Sequence, residues 1–265
     1  MSPTTAPPPA LTVTDLEVRV GAGADARLLA SLPRLDVHCG SCVAIVGESG
    51  SGKTTTLNAM LGLTDGLTMA GRIMVGEVDV VTASEKALGA LRGSRLALIS
   101  QSPQSSLNPT MRLGSLLRRV LARHGLRGAA ARERTEDALR AVMLDPGLLR
   151  RYPHQVSGGQ AQRFAIAMAV ALRAEVVLAD EPTSALDVTV QSAVLDLLDR
   201  LRQEHGIAVV LVSHDLAVVS RVADHVVVMR HGQVVESGPA RTVLTHPSAD
   251  YTRELLAAVP VLERS

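Results

Sequence analysis

Eight residues, Gly47-Glu48-Ser49-Gly50-Ser51-Gly52-Lys53-Thr54, constrain this chain more than any other stretch, because they join the apolar run Val43-Ala44-Ile45-Val46 to a helical pattern over residues 54–63. A strand that turns on glycines into a helix is the context of a phosphate-binding loop. Glycines at the turn let backbone N–H groups point inward at a polyphosphate, and the helix start adds its partial positive charge. Lys53, one of only two lysines in the chain, supplies a full charge for the β- and γ-phosphates. Thr54 offers a hydroxyl to Mg²⁺, and Thr55 follows it in the first helical turn.

Extended patterns cover residues 11–20, 35–46 and 71–81, the middle one broken at residues 39–41. Leu96-Ala97-Leu98-Ile99-Ser100 reads as a short buried strand ending at Gln101. Helical periodicity over residues 113–124 and 129–143, with Arg and Glu on the outer faces and Gly125 and Gly128 between, predicts a helical insertion over about 103–165. Beyond it, helices at 158–172, 189–204 and 216–222 alternate with strands at 176–178, 207–212 and 225–229. Residues 242–259 read as two short helices parted by His246-Pro247. Such alternation implies a mostly parallel sheet covered on both faces. The expected fold is α/β, with residues 1–10 as a disordered lead-in, one domain over 11–265, and a helical tail over about 239–260.

Composition removes several function classes. The 265 residues are 46% hydrophobic, enough for a substantial core, yet there is no Trp, one Phe and two Tyr, so aliphatic side chains must fill it. A formal net charge of +1 argues against a broadly basic surface that tracks nucleic acid. The longest apolar stretch, residues 165–172, falls far short of the roughly 20 residues that span a bilayer. Residues 1–10, rich in Pro and Thr, show neither a positive n-region nor an apolar h-region, so no signal peptide is expected and a cytosolic location follows. Cys39 and Cys42 form a C-x-x-C, but a redox pair needs a helix start after it and a zinc site needs a second ligand pair. Neither is visible, and the segment reads as a Gly40 turn into the next strand.

Two further elements carry chemistry. The run Val176-Val177-Leu178-Ala179-Asp180-Glu181 delivers two acids at the end of a strand. In a phosphate-loop ATPase the first acid holds Mg²⁺ and the next orients and polarises the attacking water, which assigns Asp180 and Glu181 to those roles. Val156-Ser157-Gly158-Gly159-Gln160 opens the preceding helix, and its glycine-rich N-terminus, with a Ser hydroxyl beside it, makes a second anion site. One nucleotide would not need both devices unless they act on different copies of it.

With these motifs in this order, the chain resembles an ABC-type ATPase subunit from residue 11 to residue 260. Ser157-Gly158-Gly159-Gln160 matches that family's signature. The resemblance implies a P-loop NTPase core with an antiparallel β region on its N-terminal side and an inserted helical subdomain. It implies that Gln101 touches Mg²⁺ and the attacking water, that Ser184-Ala185-Leu186-Asp187 communicates across a dimer, and that His214 contacts the γ-phosphate. ATP would lie on Lys53 and Thr54 of one subunit beneath Ser157 and Gly159 of a second, identical or related, packed head to tail. The partners so implied are an integral membrane permease on whose cytoplasmic face the subunit sits and, indirectly, an extracytoplasmic binding protein.

Gly47-Glu48-Ser49-Gly50-Ser51-Gly52, Ser106-Leu107-Asn108-Pro109, Asp187-Val188-Thr189-Val190-Gln191 and the tail from His246-Pro247 through Tyr251 to Pro260 are similar to the peptide and nickel uptake branch, which implies peptides, nickel or metal chelates as cargo. Some members of that branch carry a cysteine cluster for an iron–sulfur centre, and no such cysteines occur here. An exporter subunit shares the catalytic motifs. A non-transport ATPase acting on DNA or ribosomes usually carries a second nucleotide domain or coiled coils, which are not seen, and an inactive module is disfavoured by the acid pair. One departure stands out: where the family stacks adenine on an aromatic residue, this chain has Val20, leaving contact with Val20 or the flat guanidinium of Arg19 to hold the base.

Overall fold

A computed structural model describes residues 8–258 except 22 and 185. Most of the expected lead-in and the far end of the expected tail therefore lie outside the described residues. In chain order the regular elements are β1 (Leu11–Val20), β2 (Arg27–Val37), β3 (Cys42–Val46), α1 (Lys53–Met60), β4 (Leu67–Val75), β5 (Val78–Asp79), α2 (Glu85–Leu91), β6 (Leu96–Ile99), α3 (Pro103–Ser106) and α4 (Leu113–Arg123). They continue with α5 (Gly128–Ala141), α6 (Gly158–Leu172), β7 (Val176–Asp180), α7 (Val188–His205), β8 (Ala208–Ser213), α8 (Leu216–Val222), β9 (His225–Arg230), β10 (Gln233–Pro239), α9 (Ala240–Thr245) and α10 (Asp250–Ala257).

The chain divides into two compact units, Met1–Leu88 with Ala208–Ser265, and Gly89–Ile207. In the first, β1 pairs antiparallel with β2 and with β4. The alternation read from the sequence is real here: Leu11, Val13, Leu16 and Val18 are buried. A turn in which the Ser41 hydroxyl donates to the His38 carbonyl at 2.8 Å leads into β3, and Cys42 disappears into that strand while Cys39 stays exposed. Strand β3 is parallel to both β8 and β9, and all five of its residues are buried, as expected of a strand covered on both faces. Leu216, Val219, Ala240, Val243 and Tyr251, from the three helices after β8, pack on Ala44, Val46, Val226 and Val228.

The second unit is built around α6 and the parallel pair β6 and β7, in register from Leu96↔Val176 to Ile99↔Ala179. Helix α4 buries Leu113, Leu117 and Leu121, four residues apart on one face, and turns Arg118, Arg119 and Arg123 outward. Small side chains replace rings in α6: Ala161, Ala167 and Ala171 are buried beside Phe164, the only Phe. The structure differs from the sequence reading mainly at edges. Strand β2 begins at Arg27, earlier than expected, because it is an edge strand and tolerates Pro33, which lacks an N–H. Strand β10 escapes a hydropathy reading because its residues are exposed or half-buried.

Candidate nucleotide site

In the first unit the loop folds tightly around Lys53. Its ammonium donates to the carbonyls of Gly47 at 2.8 Å and Glu48 at 2.7 Å and to Ser51 Oγ at 3.4 Å, and the residue is only 6% exposed. Two glycines make this possible. A Cβ on Gly47 would stand 2.1 Å from the Met229 carbonyl oxygen, and Gly52, at φ 100°, would meet the Leu29 carbonyl at 2.7 Å, so the loop sits directly on neighbouring backbone. Gly50, at φ 78°, has open space, and Glu48, Ser49 and Gly50 face solvent. Helix α1 then starts at Lys53 with Thr54 exposed, Thr55 half-buried, and Thr56 turned inward to donate to the Gly52 carbonyl at 2.9 Å.

Register sets the next residue. Val46 pairs with Ser213, so His214 leaves β8 beside the point where Gly47 leaves β3, at the carboxyl ends of parallel strands where α/β proteins bind ligands. His214 is exposed, and the turn that presents it is fixed by Asp215, whose carboxylate accepts from the amides of Ala217 and Val218 and whose own amide donates to Ser213 Oγ. At the end of β1, Val20 is half-buried. Arg19 bridges to Glu17 at 3.0 Å and donates to the Ala26 carbonyl at 3.3 Å, so its guanidinium is already engaged.

The second unit repeats the logic. Ile99 pairs with Ala179, so the chain ends of β6 and β7 emerge together, and Gln101 Nε2 donates to Glu181 Oε2 at 3.2 Å. Asp180 closes β7, which reaches two residues further than the strand expected at 176–178. Glu181 adopts φ 45°, a left-handed conformation that costs a side-chain-bearing residue on the order of 1 kcal/mol. The Ser184 amide and hydroxyl both donate to the Glu181 carbonyl, at 3.2 and 3.1 Å, and hold it there.

Ser157 caps α6. Its Oγ accepts from the Gln160 amide at 3.2 Å while Gln160 Oε1 accepts from the Ser157 amide at 3.1 Å, a reciprocal box that occupies Gln160 and leaves Gly158 and Gly159 to offer the helix's first N–H groups. A Cβ on Gly159 would lie 2.4 Å from Val190 Cγ1, so this glycine also admits α7. Asp187 caps α7 by accepting from the Val190 amide at 2.9 Å. Sequence reasoning missed Val190, Met229 and Tyr251 as supports, since each acts through a contact distant in the chain.

The chain matches the ABC transporter family over residues 32–184. It belongs to that family. A peptidoglycan transport ATP-binding protein, YejF of Agrobacterium fabrum, is 42% identical over 258 residues, covering 95% of this chain and 47% of that protein. The dipeptide transport ATP-binding protein DppD of Escherichia coli is 43% identical over 229 residues, covering 84% and 70%. This ABC chain thus spans less than half of the first relative and most of the second. Its fold is that of an ABC ATPase: the ATP-binding cassette MJ0796, solved as a dimer in a post-hydrolysis state bound to ADP and Pi, superposes with TM-score 0.75 at 26% identity over 87% of this chain and 99% of that one.

Proposed function

We propose that this chain is the ATP-hydrolysing subunit of an ABC importer that energises peptide uptake through a membrane permease. The observation that carries the reading is the hydrogen bond from Gln101 to Glu181, which holds the carboxylate of a residue with a strained backbone next to Asp180 at the end of a buried strand. Lys53, with the amides of Gly50, Ser51 and Gly52, cradles the polyphosphate, and Glu181 orients and polarises the attacking water while His214 steadies the γ-phosphate. The family resemblance assigns Mg²⁺ to oxygens of Thr54, Gln101 and Asp180, ligands that suit a hard cation, and Mg²⁺ when bound would neutralise charge on the β- and γ-phosphates. Ser157, Gly158 and Gly159 cover the triphosphate of a second copy or a related chain. Glu181→Gln should nearly abolish hydrolysis while preserving ATP binding. Retained turnover removes Glu181 from its role.

None of the described helices is long and apolar enough to cross a membrane, so attachment to the inner membrane's cytoplasmic face would run through the permease. Within the helical insertion proposed for about 103–165, a cavity of about 750 Å³ has an apolar floor including Ala131, Leu139 and Leu149. Arg112, Arg118, Arg127, Arg132 and Arg150 rim it against the single acid Glu136. That chemistry suits an amphipathic acidic segment of the permease. Arg127→Glu with Arg132→Glu should leave basal ATPase intact and remove stimulation by a copurified permease. The two relatives above are named for peptidoglycan transport and dipeptide transport, which favours peptides over the nickel or metal-chelate cargo that the sequence also allowed.

A further inference from the structure

The C-terminal helix reaches the phosphate loop. Tyr251, on α10 and 5% exposed, accepts a hydrogen bond at its hydroxyl oxygen from the Glu48 amide, 3.1 Å away. That amide belongs to the peptide group joining Gly47 to Glu48, and the carbonyl of the same peptide, on Gly47, takes the Lys53 ammonium at 2.8 Å. One planar group therefore carries Tyr251 on its N–H and Lys53 on its C=O, and bonds at the two ends of an amide polarise each other. Because the peptide is rigid, fixing its N–H fixes where its carbonyl points.

The tyrosine is itself held in place. The Arg230 guanidinium lies over its ring at 4.5 Å, and the ring packs in the cluster of Val46, Val228 and Leu216. The start of its helix is clamped by Glu236 of β10, whose carboxylate accepts from the Ser248 amide at 2.7 Å, the Ser248 hydroxyl at 2.8 Å and the Ala249 amide at 3.1 Å. We infer that Tyr251 is a positioning residue for the phosphate loop: through the Gly47–Glu48 peptide it sets Lys53, so the tail after β10 belongs to the nucleotide-binding machinery. The inference rests on the nucleotide reading of that loop.

Tyr251→Phe keeps the ring, its packing and the arginine above it, and removes only the hydroxyl. In the full chain without nucleotide, the Glu48 amide should lose its protection from hydrogen exchange while the melting temperature falls by no more than about 4 °C, as for the loss of a single hydrogen bond. The Kd for ATP should rise by about three- to tenfold, the usual range for one hydrogen bond. A tyrosine that merely packs the tail would move neither quantity on losing its hydroxyl. Unchanged Glu48 exchange, or an ATP affinity within twofold of wild type, overturns the positioning role alone. A wild-type chain that binds no ATP overturns the nucleotide reading with it.

Discussion

At the scale of single residues, Gly159 answers to packing as well as to the phosphate contact proposed for it. Gly159 could donate its N–H to an anion with any side chain, but its missing Cβ is what lets Val190 of α7 approach, and a methyl there would stand 2.4 Å from Val190 Cγ1. Gly159→Ala should cost about 1–3 kcal/mol by overpacking, read as a lower denaturation midpoint. Val190→Ala in the same chain should recover most of that loss, and a double variant as unstable as the single one would show that the close approach is not the cause. Val20 poses a different question. Among the described residues at the end of β1 no aromatic ring is offered, and the Arg19 guanidinium is held in place by Glu17 and the Ala26 carbonyl. The base should therefore be held weakly, and Val20→Tyr should lower the Kd for ATP by a fewfold, since a base stacked on a ring gains about 1 kcal/mol or more. An ATP affinity unchanged by the tyrosine would show that the base does not lie at the end of β1.

At the scale of elements, the tail's attachment is electrostatic and so depends on pH. Burial alone would raise the Glu236 pKa, but the neighbouring Thr252 hydroxyl, together with hydrogen bonds from the Ser248 amide and hydroxyl and from the Ala249 amide, outweighs it and brings the carboxyl down to about 2. A carboxyl whose folded pKa lies below its unfolded value of about 4.5 contributes stability that is fully present above that value and lost as pH falls toward the folded one. Glu236→Gln should therefore increase hydrogen exchange over residues 248–257 at neutral pH. The gap from wild type should close as pH drops from about 4.5 toward about 2, and a gap that widens on acidification would refute the clamp. These contacts also show the limit of reading elements from sequence. Helix α6 and strand β1 were legible to the residue because their apolar periodicity is local. Strand β10 was not, because its half-exposed side chains exist to cover an edge and to hold Glu236. The tail's helices were visible, but the reach of Tyr251 to Glu48 joins positions remote in sequence and leaves no periodic trace.

At the scale of the whole molecule, the catalytic inventory predicts how activity should depend on concentration. The chain carries one phosphate loop, one acid pair and one signature helix start, and their order was legible because each is a short motif fixed by a strand end or a helix cap. What each motif faces was not legible, since under the function proposed here that depends on a second chain. If the signature amides of Gly158 and Gly159 complete the triphosphate site of a partner copy, hydrolysis is second order in the chain at low concentration, while ATP binding through Lys53 is not. A net charge of +1 sets up little repulsion between copies. Turnover per chain should accordingly rise with concentration and level off once the dimer predominates, with ATP binding the same throughout. Sedimentation of Glu181→Gln should show a dimer with ATP and a monomer without it, because the γ-phosphate is then bound but not cleaved. Constant turnover per chain down to concentrations where sedimentation finds only monomer would mean that one copy builds a complete site by itself.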